Sequence, residues 1–120
     1  MKKTILLVDD EIDIQNRYFL QAGYDVLVAH DGKEGLELFR KKFIYVIITD
    51  IMMPNMNGYD FISEVQYIAP NQPFLFTTAK TSEQDKIYGL SLGGYDFIAK
   101  PFSLRELVLR VNNILRRLSR

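Results

Sequence analysis

Five short apolar runs punctuate this chain: Thr4–Val8, Asp25–Ala29, Ile44–Thr49, Pro73–Thr77 and Tyr95–Ile98. They are rich in Val, Ile and Phe, and the first and third lack polar alternation, as suits central strands covered on both faces. Between them the spacing turns helical over 12–22, 32–42, 58–68, 82–92 and 103–118, segments long enough for βαβ crossovers. The last is the clearest, with Leu104, Leu107, Val108, Val111, Ile114, Leu115 and Leu118 in one 3.6-period stripe. Ser103 and Glu106 ahead of that stripe form a capping box. Gly23, Asp31-Gly32, Asn57-Gly58 and Gly93-Gly94 mark the joins. Repeated βα units with right-handed crossovers predict an α/β fold, an open, doubly wound parallel sheet. Such sheets bind ligands outside the carboxyl ends of their strands.

Length and composition narrow this picture without redirecting it. The 120 residues make one domain, 1–120, with an ordinary 48% apolar and 25% charged content. A net charge of zero gives no global attraction to nucleic acid or membrane. The charge is uneven, however: from Lys100 to Arg120 six basic residues face one acid, Glu106. This reads as a solvated helix face running into a linker at 116–120, in preference to direct DNA contact. Without cysteine, disulfides and thiolate metal sites are excluded. The first eight residues mimic a signal peptide, but the apolar run is too short and meets Asp9-Asp10-Glu11. With no 18-residue apolar stretch, a soluble, cytoplasmic protein without a membrane partner is expected.

The chemistry gathers at the strand ends. ILLV stops at Asp9-Asp10, VIIT at Asp50, FLFT at Thr78 and YDFIA at Lys100-Pro101. In a parallel sheet these five side chains share one edge. Three neighbouring carboxylates repel, so they call for protons or a cation. An all-oxygen set without His or Cys selects a hard ion, Mg²⁺ foremost. Lys100 adds an ammonium that suits a phosphoryl group lying between it and the metal, and Thr78 adds a donor. Asp9 and Asp10 are placed to hold metal, leaving Asp50 as the nucleophile that forms an acyl phosphate. Catalysis would then be mostly positioning and charge neutralisation. Taken singly, each residue has a plainer reading: N-cap chemistry for Asp9-Asp10-Glu11, a turn for Asp50 before Pro54-Asn55. Their order and placement together favour a phosphoryl site.

The motifs ILLVDDE, TDIMMPNMNGYDF, TTAK and GLSLGGYDFIAKPFSLREL, covering essentially the whole chain, resemble the response-regulator receiver domains of two-component signalling. The resemblance implies a flavodoxin-like (βα)5 sandwich with strand order 2-1-3-4-5. It implies that Asp50 accepts a phosphoryl group from a sensor histidine kinase, a phosphotransfer protein or a small phosphodonor. Asp10, Asp50 and the Met52 carbonyl would ligate Mg²⁺, with Asp9 acting through water, and Thr78 and Lys100 would hold the phosphoryl oxygens. Phe97 matches the aromatic switch that answers Thr78, and the Lys100–Pro101 bond is expected to be cis. The C-terminal third is most similar to the OmpR/PhoB class, whose receivers pair on activation and carry a separate DNA-binding domain. In that pairing Lys86 with Glu106 and Asp96 with Arg110 match the ion pairs, and Ile87, Leu90 and Val111 match the apolar centre. The receiver itself would signal without catalysing turnover of an external substrate or touching nucleic acid.

Two departures stand out. Tyr95 occupies a position where the family usually has an acid, so Arg117 lacks its usual partner. The stretch Ile12–Ala22 is about three residues short of the family norm, close to one helical turn. Kinases of this system generally dock there. Met52 and Lys80, at the positions that tune dephosphorylation, include no obvious group to activate water, so a long phosphorylated lifetime is expected. Other classes fit less well. An aspartyl-nucleophile phosphohydrolase wants a second acid where Met52 stands, and a flavin carrier wants a phosphate loop where this chain has Asp-Asp-Glu. A degenerate scaffold receiver would have no need of Asp9, Asp10, Asp50, Thr78 and Lys100 together.

Overall fold

The computed structural model of the chain describes residues 2–9, 13–79, 87, 91 and 96–118. They form β1 (Thr4–Val8), α1 (Asp13–Gln21), β2 (Asp25–Ala29), α2 (Gly32–Lys41), β3 (Val46–Asp50), α3 (Gly58–Ile68), β4 (Phe74–Thr78), β5 (Asp96–Ala99) and α4 (Leu104–Leu118). All strand pairs are parallel, in the order β2-β1-β3-β4-β5. This is the flavodoxin-like sandwich that the sequence predicts. The segment expected to be helical at 82–92 lies outside the described residues except for Ile87 and Ser91, both helical.

Strand alternation divides the apolar residues between two cores. Ile5, Leu7, Val46, Ile48, Leu75 and Ile98 face α1 and α4, meeting Phe19, Leu107, Val111 and Ile114. Leu6, Val8, Ile47, Phe74 and Phe76 face α2 and α3, meeting Leu36, Phe61, Ile62 and Val65. Most of these side chains are wholly out of water, each worth about 1.5–3 kcal/mol against exposure. This two-sided cover explains why the central strands read as unbroken apolar runs. The Tyr24 hydroxyl donates to Asn112 on α4, closing the polar end of that layer.

Caps fix where the helices begin. Asp31 accepts from the Glu34 N–H at 2.9 Å to start α2, and Asn57 accepts from Asp60 at 2.9 Å to start α3. The Ser103 hydroxyl accepts from the Glu106 N–H at 3.3 Å ahead of α4, half of the anticipated capping box. The last three strands lie slightly later than the apolar runs suggest. Pro73 has no N–H to offer and contributes only its carbonyl, which accepts from Ile47 at 3.1 Å. Asp50, by contrast, is still inside the ladder, in register with Thr77. No described helix is long and apolar enough to cross a membrane.

Candidate functional site

Register brings the predicted residues to one edge. Val8 pairs with both Ala29 and Thr49, which sets Asp9 level with Asp50; Thr78 pairs with Ala99, which puts Lys100 one step beyond. The Lys100 N–H donates to the Thr78 carbonyl at 2.8 Å, and the Asp9 N–H to Ala29 at 3.1 Å. The Lys100–Pro101 peptide bond is cis.

At the centre, Lys100 Nζ lies 3.0 Å from Asp50 Oδ2 and 3.1 Å from Asp9 Oδ2. Both acids are nearly closed to solvent, at 6% and 2% exposure. Asp50 Oδ1 accepts from the Ile51 N–H at 2.7 Å and, at longer range, from Met52 at 3.4 Å. These bonds orient the carboxylate, with one oxygen held by the turn and the other by the ammonium. Burial pushes the Asp50 carboxyl above its ordinary value; Lys100 opposes the rise and the neighbouring Asp9 charge adds to it. Burial works against the Lys100 ammonium, yet its bonds to Asp50 and Asp9 leave its pKa raised overall. A base shared by two acids keeps its proton, yet one ammonium cannot offset both carboxylates.

That deficit is the test for a metal. Asp9 and Asp50 offer buried oxygen donors carrying one more negative charge than Lys100 offsets, a set that fits a hard divalent cation such as Mg²⁺. Among the described residues no group of three or more acid, His or Cys side chains gathers. Asp10, predicted as a ligand, lies outside the described residues, as do Lys80, Lys86, Leu90 and Tyr95. Met52 is 58% exposed beside Asp50.

Thr78 is fully buried at the same edge, on the side of Phe76 by alternation. Phe97 is half-buried on that side too, its ring 6.5 Å from that of Phe76. The predicted switch pair therefore shares a layer with α3. The residue before, Thr77, alternates to the Asp50 side, and its buried hydroxyl has no hydrogen-bond partner among the described residues.

Two supports were not foreseen from sequence. Gln15 on α1, itself buried, donates to Asp9 Oδ2 at 3.3 Å; its signal was a polar residue one turn before buried Phe19. Asn55, at φ 70°, donates to Asp31 Oδ2 at 3.1 Å, tying the loop after Asp50 to the α2 cap. The Glu34 bond foremost, with Asn55 beside it, holds the Asp31 carboxyl below its usual range. A third constraint is Gly58, whose N–H donates to Ile51 at 2.7 Å. A Cβ there would lie 2.2 Å from the Asp50 carbonyl oxygen.

The expected pairing face needs one correction. Val111, assigned to its apolar centre, is fully buried against the sheet and has no surface to offer. Glu106 and Arg110, expected to bond across a dimer, bond each other at 2.9 Å, one turn apart on α4. Ile87 is exposed.

The family model for the response regulator receiver domain matches residues 5–112. Response regulator SaeR of Staphylococcus aureus (strain USA300) is 46% identical over 119 residues, 97% of this chain and 52% of that protein. The chain thus spans about half the length of the curated relatives it matches. Among solved structures, the Francisella response regulator 1452 receiver domain superposes with a TM-score of 0.91 at 35% identity, covering 98% of this chain and 99% of that one. A response regulator receiver domain protein (CheY-like) from Methanospirillum hungatei JF-1 gives 0.91 at 26% identity, covering 98% and 96%.

Proposed function

Because this chain belongs to the response regulator receiver domain family, we propose that it is a phosphorylation switch in which Asp50 takes the phosphoryl group. The observation that carries this reading is Lys100 Nζ held within 3.1 Å of both Asp50 and Asp9 at the carboxyl edge of the sheet. An Asp50 oxygen attacks the phosphorus of a phosphohistidine or small phosphodonor, the bond to the donor breaks, and an acyl phosphate forms. The Ile51 N–H and Lys100 fix the carboxylate for attack, and Lys100 is placed to meet a phosphoryl oxygen. Mg²⁺, held by Asp9, Asp10, Asp50 and the Met52 carbonyl, would neutralise the charge of the incoming group. Thr78 would bind a phosphoryl oxygen and Phe97 would follow it, passing the state to β5, α4 and Ile87. A sensor histidine kinase or phosphotransfer protein would be the donor, in the cytoplasm, and transcription control through a separate domain the output.

Intact mass tests the first step. After incubation with Mg²⁺ and acetyl phosphate, the chain gains a single phosphoryl adduct and the Asp50→Ala protein gains none. An adduct retained in Asp50→Ala would remove the assignment.

A further inference from the structure

At the opposite, N-terminal edge of the sheet lies a groove of about 770 Å³ that plays no part in the phosphoryl site. Lys3, Phe43, Tyr45, Pro73, Leu115 and Leu118 are among its lining residues, drawn from the segments just before β1, β3 and β4 and from the end of α4. Its apolar rim is unusually open to water. Phe43 is 76% exposed and packs edge-on against Tyr45 with ring centroids 5.0 Å apart, and Leu118 is 44% exposed. Lys3 Nζ sits 5.8 Å over the Tyr45 ring. An exposed apolar patch with a polar border marks an interaction surface.

The charges next to the lining residues in sequence have one sign. Lys2 and Lys3 precede β1, Lys41 and Lys42 precede Phe43, and Arg116 and Arg117 precede Leu118, while no Asp or Glu stands within two residues of any lining residue. Asp25 is near this edge, in register with Thr4, but on the far side of β1 from β3. Three segments that reach the groove thus carry basic residues beside their lining positions, with Lys3 itself in the lining.

We infer that this groove docks an acidic peptide segment of a partner protein, anchored by aromatic or aliphatic side chains. The apolar floor and Phe43 would take the anchors, and the lysines and arginines on either side would take the carboxylates. Nucleic acid fits less well, since its phosphates would meet a floor of proline, leucine and phenylalanine.

The test uses the 120-residue chain and a fluorescein-labelled peptide, Glu-Phe-Asp-Glu-Leu-Phe-Asp. Anisotropy should show saturable binding that weakens with salt, with amide shifts at Tyr45, Gln72 and Leu118. Phe43→Ser, harmless to folding at so exposed a position, should weaken binding about tenfold, and Lys42→Glu with Arg117→Glu should flatten the salt dependence. The Asp50→Ala protein should bind the peptide as the wild type does, so failure of the phosphoacceptor reading leaves this one standing, and the reverse. Binding indifferent to Phe43→Ser, shifts confined to the Asp9–Asp50 edge, or tighter binding of duplex DNA or phosphatidylglycerol vesicles would each overturn the inference.

Discussion

Lys100 stands between two acids, and the imbalance sets the pH behaviour of the site. The Asp50 carboxyl is raised in the folded chain, first by burial, so the folded state holds that proton more tightly than the unfolded state does. Stability therefore falls as pH rises from the ordinary carboxylate range through the raised value. Asp50→Asn should melt above the wild type at pH 7, the gain shrinking as pH falls through the raised value and gone below about 4; calorimetry across that range checks it. The two curves running parallel at every pH would show that Asp50 carries no such penalty. Thr77 offers a second test. Its buried hydroxyl lacks a partner among the described residues, so Thr77→Val should add about 1 kcal/mol in urea unfolding. A loss of phosphorylation in that variant, with stability unchanged, would instead mark the hydroxyl as serving the Asp50 layer.

Between elements, the tightest tolerance lies where β3 hands over to α3. The Gly58 backbone approaches the Asp50 carbonyl so closely that no side chain fits. Gly58→Ala should cost about 2–4 kcal/mol and slow adduct formation together, because the backbone that must shift is that of Asp50. Denaturation and the mass assay read the two losses side by side. The same region shows what sequence conveys and what it withholds. Asp50, Asp9 and Lys100 were legible because a parallel sheet turns strand ends into neighbours without further information. Gly58 was legible only as a turn. Gln15 and Asn55 were not legible in role, since the phase of α1 over the sheet and the reach of the loop to Asp31 depend on docking between distant segments. Val111 was assigned to two places by one helical stripe, and packing chose the core.

Across the whole molecule, the proposed outward signal would have to leave through surface that the core does not use. On α4 the exposed or half-exposed residues include Glu106, Leu109 and Arg110, and Ile87 is exposed as well. If pairing follows phosphorylation, Glu106 and Arg110 must trade a bond within α4 for bonds to another chain. An exposed pair of this kind is worth only about 0–1 kcal/mol, so the exchange costs little. The acetyl-phosphate-treated chain should elute as a dimer and return to monomer on hydrolysis, while Ile87→Glu remains monomeric; sizing with light scattering checks both.

The contact of Lys100 with Asp9 joins residues 91 positions apart, and this bears on how the chain is made. During synthesis Asp9 and Asp50 leave the ribosome long before β5 exists. A nascent chain can then display the Asp50 carboxylate without the ammonium that holds its Oδ2. If Asp50 is the acceptor, competence to take up phosphate would arrive with the last strand, and an unfinished receiver would be a silent one.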